Sequence, residues 1–164
     1  PDAAAVLVPY GGGGLSSGIA MALRALGSKA PVFACETETA APLSASFRAG
    51  QPTSIDYRAS FVDGIGSSTV LPEMWDLVTG LLAGSLALPL QEIANAVYAL
   101  ATRAHVVAEG AGAASLAGAL SAGFAMGVRG SIAKLPRQGP LVCVISGGNI
   151  DAAKLATILD GRLP

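Results

Sequence analysis

The sequence predicts an α/β fold, a three-layer sandwich in which helices cover both faces of a mostly parallel sheet. Three observations carry that expectation. Short apolar runs alternate with segments of helical length, the arrangement of right-handed βαβ units. Two of the runs end in glycine clusters that lead into a helix, the four glycines Gly11, Gly12, Gly13 and Gly14 and later the pair Gly147-Gly148. Charged residues make up 13% of the chain, against the usual ~25%, and there are 21 glycines, so much of the chain suits a tightly packed interior. At 164 residues it has room for a single domain, residues 1–164, and not for two ordinary ones.

Each element follows from its own signals. An apolar run at residues 3–8 reads as a strand, and residues 15–26 as a helix stopped by Gly27. Residues 32–35 form a second strand, followed by a short helix over 42–49 that Gly50 ends. The stretch 51–68 is irregular, which is uncommon in a compact domain unless it lines a site. A strand over 85–88, Pro89 at a first-turn position and a helix over 90–103 come next, then a helix over 112–122. A strand over 141–145 and a last helix over 151–159 complete the order. Residues 110–128 carry no charge, but Gly, Ala and Ser dilute their hydrophobicity and Gly123 interrupts the helix. A helix buried against the sheet is expected there, not a membrane span.

Composition excludes some function classes. A net charge of −1 without any block of Lys or Arg lacks the basic footprint that nucleic acid requires. Cys35 and Cys143 both lie in apolar runs and read as reduced core thiols. With no basic and apolar leader at the start, a cytoplasmic setting is expected, and the opening Pro1-Asp2 without a methionine suggests a piece of something longer.

The glycine loop is the first candidate site. Without Cβ atoms, successive N–H groups can converge on one anion, and the positive end of the following helix adds to the attraction. Three further clusters stand beside it. Ser146-Gly147-Gly148-Asn149 also follows a strand and precedes a helix, so it falls on the same carboxyl edge of the sheet; alone it is equally an ordinary capped turn. Glu109, just before a helix start, reads on its own more readily as a favourable charge at a helix N-terminus, and Asp63-Gly64 alone reads more readily as a plain turn. A competing chemistry exists in Gly14-Leu15-Ser16-Ser17-Gly18, which fits the G-x-S-x-G nucleophile elbow, with Asp63 or Asp76 and then His105 following in hydrolase order. That reading leaves three preceding glycines unexplained and puts a lone histidine at a helix edge.

Taken in order and spacing, Val8-Pro9-Tyr10-Gly11-Gly12-Gly13-Gly14-Leu15, Val62-Asp63-Gly64, the 108–114 segment around Glu109 and Ile145-Ser146-Gly147-Gly148-Asn149 resemble the threonine/serine dehydratase family. These are pyridoxal-phosphate enzymes of the tryptophan synthase β-like fold, and the chain resembles the carboxyl-terminal half of their catalytic unit, part of the large domain. The resemblance implies a role for each matching position. The amides of Gly11, Gly12, Gly13, Gly14 and Leu15 would hold the phosphate of pyridoxal 5'-phosphate, and Ser146 would place its hydroxyl against the pyridine nitrogen. A hydroxyl is too weak an acid to keep that nitrogen protonated, which implies a bias toward β-elimination over transamination. Gly64 would let backbone approach the cofactor ring, Glu109 would face the pocket, and Asn149 would tie the Ser146 loop in place. The implied reaction converts a β-hydroxy amino acid into a 2-oxo acid and ammonia.

Two departures qualify the resemblance. The family's Schiff-base lysine lies in a Ser-Phe-Lys-type motif of the amino-terminal half, and these 164 residues contain no such motif; Lys29, Lys134 and Lys154 do not occupy a replacing position. By itself, then, the chain is expected not to catalyse. Some family members also hold a divalent cation, and Glu36 and Ala40 match its first two ligand positions. Pro42 stands in place of the acid, so no metal is expected. Without the other half, an apolar sheet edge should be exposed, and a homodimer or a complementing amino-terminal half is the expected partner. Two classes remain open at this point, part of a cofactor-dependent lyase and a non-catalytic module binding a phosphate or another chain.

Overall fold

The structure, a computed structural model, describes residues 2–123 and 138–164. Lys134 and the part of the uncharged stretch beyond residue 123 lie outside the described residues. Elements run in the order β1 (Ala5–Pro9), α1 (Gly14–Ala25), β2 (Val32–Thr37), α2 (Pro42–Ala49), α3 (Pro72–Leu81), β3 (Gly84–Leu88), α4 (Leu90–Ala99), α5 (Gly110–Gly123), β4 (Leu141–Cys143) and α6 (Ala152–Leu159). A single 3-10 turn at Asp63–Ile65 punctuates the otherwise irregular stretch between α2 and α3.

The described strands form one parallel sheet in the order β3-β2-β1-β4. Val6 pairs with Val32 of β2 and with Val142 of β4, which makes β1 the strand on which the chain reverses direction across the sheet. Every residue of β1, β2 and β3 is buried, as expected for parallel strands covered on both faces. Side chains alternate between two cores. Leu7, Cys35, Leu86 and Leu88 join one with residues of α4, α5 and α6, while Val6, Val8, Val32 and Ala34 join another with Ala20 of α1 and Val78 of α3. Burying each of these Leu or Val side chains contributes about 1.5–3 kcal/mol.

The uncharged helix α5 lies on the sheet, with Ala113, Ala114 and Ala117 fully buried. Gly118 sets its closeness, since a Cβ there would stand 2.9 Å from Leu7 Cδ2 and 3.2 Å from Cys35 Sγ. No helix among the described residues is long and apolar enough to cross a membrane.

The structure corrects several expected boundaries. The second strand runs on to Thr37, and the last strand stops at Cys143 instead of residue 145. Pro89 is the N-cap of α4 and not a first-turn residue, its carbonyl accepting from the Ile93 N–H at 3.2 Å. The helix expected to reach residue 103 loosens into a π turn over Leu100–Ala104 and ends at His105, which takes the left-handed φ of 56°. Asp151 caps α6 from outside, its carboxylate accepting from the Ala153 N–H at 2.7 Å. Cys35 is buried as expected, but Cys143 is only half-buried because β4 is an edge strand with Val142 exposed. Helix α3 was not expected at all. It starts at Pro72 without a side-chain cap and seats Met74, Trp75 and Val78 in the core shared with α1.

Glu36 ties the second strand to its neighbours. Its fully buried carboxylate accepts from the Leu43 N–H (2.8 Å), the Ser44 N–H (2.8 Å), the Ser44 hydroxyl (2.7 Å) and the Ser85 hydroxyl (2.6 Å). The two amides are among the donors that the α2 N-terminus leaves without a partner inside the helix, and Ser85 belongs to β3, so one side chain joins β2, α2 and β3. Donors facing the carboxylate in this way do not fit a cation, and Pro42 serves as the first residue of α2. Among the described residues no group of three acidic, His or Cys side chains is placed to hold a metal.

Burial pushes the Glu36 carboxyl above its ordinary value, with the four hydrogen bonds opposing the shift. A folded-state value above the unfolded one means that its contribution to stability is fullest below the ordinary carboxylate range and declines as pH rises through the raised value. Thermal melts across pH should show that slope in the unaltered protein and its loss in Glu36→Gln. Glu36→Ala, which strands four donors in the interior, should cost about 3 kcal/mol in denaturant unfolding.

Candidate active site

The carboxyl ends of β1 and β4 lie side by side, and the loops that leave them bound the crevice where an open α/β sheet binds its ligands. From β1 comes the glycine loop. Gly13 holds φ at 90° as the N-cap of α1, a conformation that favours glycine, and a Cβ there would stand 3.1 Å from Met74 Cε and 3.2 Å from Tyr10 Cε2. Gly11 passes Gly64 and Ile65 closely, a Cβ on it falling 3.3 Å from Ile65 Cα.

Gly12 and Gly14 differ from these two. Neither has a left-handed φ, and a Cβ on either would meet nothing within 4 Å. Packing within the protein therefore does not account for glycine at these positions. The main-chain N–H groups of Gly11, Gly12, Gly13, Gly14, Leu15 and Ser16 have no carbonyl acceptor among the described residues, and the last three open a 12-residue helix. This donor set suits a phosphate.

Ser16 is no nucleophile in this arrangement. It is fully buried in the first turn of α1, and its hydroxyl donates back to the Gly13 carbonyl at 3.1 Å. A nucleophile elbow needs a strained serine, yet the left-handed non-glycine residue of the described chain is His105, which is solvent-exposed. No hydrogen bond joins any two of Ser16, Asp63, Asp76 and His105.

On the other side of the crevice, Glu109 precedes α5 and acts as a clamp. Its N–H donates to the Gly147 carbonyl at 3.1 Å, and its carboxylate accepts from the Asn149 N–H at 3.1 Å. The carboxylate sits between two glycines: a Cβ on Gly64 would come 3.0 Å from Glu109 Oε1, and one on Gly147 would come 2.6 Å from it. Thus the structure brings Gly64, Glu109 and the Ser146 loop together, and Asn149 secures the loop through its main chain and not its amide. Ser146 is exposed, and its hydroxyl has no partner among the described residues.

Two positioning roles were not anticipated. Gly112 has no room for a Cβ, which would overlap the Gly147 carbonyl, and a Cβ on Gly148 would come 2.7 Å from the Val107 carbonyl. Backbone here packs directly on backbone. The signal was present in the Gly110-Ala111-Gly112 and Ser146-Gly147-Gly148 motifs, but the pairing between them was not.

A family model described as pyridoxal-phosphate dependent enzyme matches residues 1–147. The chain belongs to that family. Among curated relatives it is 34% identical over 164 residues to the L-threonine ammonia-lyase of Thermotoga maritima, covering 99% of this chain and 38% of that protein. It is 33% identical over 153 residues to the catabolic L-threonine dehydratase TdcB of Escherichia coli, covering 93% and 44% of the two. The chain therefore spans less than half the length of these relatives. Among solved structures, a threonine deaminase of T.th. aligns with a TM-score of 0.79 at 30% identity, over 91% of this chain and 47% of that one. A threonine deaminase isoform of Solanum lycopersicum, at 23% identity and TM-score 0.82 over 97% and 44%, shares the fold. Members of this pyridoxal-phosphate family use the cofactor whose phosphate the glycine loop suits.

The close approach at Gly112 yields a sharp contrast. Gly112→Ala must push the Ser146 loop off α5 and should lower stability by about 2–4 kcal/mol. Gly14→Ala, in helical conformation with open space around it, should leave stability unchanged or raise it by up to about 1 kcal/mol. Paired denaturant melts read both.

Proposed function

We propose that this chain is the phosphate-holding part of a pyridoxal-phosphate-dependent threonine/serine dehydratase, which converts a β-hydroxy amino acid into a 2-oxo acid and ammonia. The observation that carries the reading is the pair Gly12 and Gly14, glycines whose Cβ would meet nothing, in a loop whose amides lack carbonyl acceptors among the described residues. Similarity to L-threonine ammonia-lyases of two bacteria supports the choice of substrate class.

Bound pyridoxal phosphate supplies an electron sink for the charge left on the substrate when its α-proton departs. The chain's own residues bind and orient. The amides of Gly11, Gly12, Gly13, Gly14 and Leu15 hold the phosphate, and Gly64 leaves room for the ring. Glu109, fixed between Gly64 and Gly147, holds the Ser146 loop at its place on the crevice. Ser146 offers a neutral hydroxyl toward the ring nitrogen and so favours elimination. The covalent anchor and the group that takes the α-proton come from outside these residues. Lys154 is engaged with Asp63 at 3.0 Å, and Lys29 lies beyond α1 toward the amino end of β2, away from the crevice.

We further propose that the complementing half, or a second copy, covers the β4 edge. Val142 is 46% exposed there, and beside it Ile19, Leu23, Leu26 and Val144 line a cavity of about 930 Å³. In the full-length protein, added pyridoxal phosphate should produce a visible absorption band, and L-threonine or L-serine should yield a 2-oxo acid. Gly12→Ala should weaken cofactor affinity by at least about tenfold without lowering the melting temperature, one lost charged contact being worth that much. Absence of the band and of product in the unaltered protein would sink the reading.

A further inference from the structure

Tyr10 sits at the end of β1, immediately before the glycine loop, and is 1% exposed. Its ring packs with Val8, Leu43, Val70 and Val78 in the core beneath α1 and α3. Its hydroxyl has no hydrogen-bond partner among the described residues. That oxygen nevertheless reaches the loop, lying 3.3 Å from the point where a Cβ on Gly13 would stand. A buried hydroxyl without a partner costs about 1–3 kcal/mol, a cost that a partner arriving from outside would remove. Nothing about packing alone calls for it, since phenylalanine would fill the same space.

Burial, with the Glu36 carboxylate adding to it, pushes the phenol above its ordinary value, so it is a hydrogen-bond donor throughout the physiological range. Donors therefore meet at Gly13 from two sources. The loop contributes main-chain N–H groups without carbonyl acceptors among the described residues, and the β1 end contributes one side-chain O–H.

We propose that Tyr10 is a side-chain member of the phosphate site, its hydroxyl donating toward the anion that the Gly11, Gly12, Gly13, Gly14 and Leu15 amides hold. The inference rests on the phosphate-holding role proposed above and adds to it a specificity element for the phosphorylated form of the cofactor. The Tyr10 ring and Met74 of α3 also leave Gly13 no room for a side chain.

The test compares the unaltered full-length protein with Tyr10→Phe, which keeps the ring and removes one oxygen. Affinities for inorganic phosphate, pyridoxal phosphate and pyridoxal are measured by titration, and the melting temperature is read without ligand. Tyr10→Phe should bind phosphate and pyridoxal phosphate about tenfold more weakly, the value of one hydrogen bond to a charged group. It should bind pyridoxal, which lacks the phosphate, as well as the unaltered protein does. Its melting temperature should be equal or higher, because a buried unpaired hydroxyl has been removed. Unchanged phosphate and pyridoxal phosphate affinities would overturn the inference while leaving the cofactor reading intact. A fall in melting temperature with equal weakening toward all three ligands would overturn it too, showing a purely structural hydroxyl. If the unaltered protein binds neither phosphate nor pyridoxal phosphate, the cofactor reading and this inference fall together.

Discussion

The placing of Gly64, Glu109 and the Ser146 loop depends on one junction, the contact between the start of α5 and the loop that leaves β4. Glu109 makes it twice, through its N–H to the Gly147 carbonyl and through its carboxylate to the Asn149 N–H. Gly112 and Gly148 let the two backbones meet without side chains between them. The carboxylate then fills the space between Gly64 and Gly147, so the 3-10 turn that follows Val62 is placed by the same residue. An acid at a helix start commonly serves only the helix dipole. Here its reach across two other loops turns a local capping position into the point where three chain segments are aligned.

Glycine performs two distinct duties around this crevice. At Gly13, Gly64, Gly112, Gly147 and Gly148 it is required by the protein itself, through a left-handed φ or through an atom standing where a Cβ would go. At Gly12 and Gly14 the protein makes no such demand. A run of four identical residues thus divides into those that shape the loop and those that leave its outer face open. A side chain in the first group would meet the protein's own atoms or a strained φ, and in the second it would meet neither.

Much of this was legible in the sequence because buried parallel strands are continuous apolar runs, and β1, β2 and β3 are buried along their whole length. The glycine loop and the Ser146 loop were legible for the same reason, as breaks that follow such runs. Helix α3 was not, since it lacks a polar cap and follows a stretch of Gly, Ser and Thr that reads as loop. Nor was the role of Tyr10. A tyrosine at the end of an apolar run looks like any core aromatic until its hydroxyl is found against Gly13 without a partner. The Glu109 clamp joins residues 40 positions apart, and a contact of that span leaves no periodic trace.

The pairing of Ala5 with Leu141 has a consequence for how the protein comes into being. β1 and β4 are neighbours although β2, β3 and five described helices come between them in the sequence, so the crevice between them closes only once residue 141 has left the ribosome. Until then β1 presents one unpaired side, and the glycine loop stands complete beside a wall not yet built. Bringing such distant segments together carries a loop-closure cost that grows with their separation, and topologies of this kind fold slowly. Nascent chains interrupted before residue 141 would thus display a bare strand edge, open to pairing with another copy.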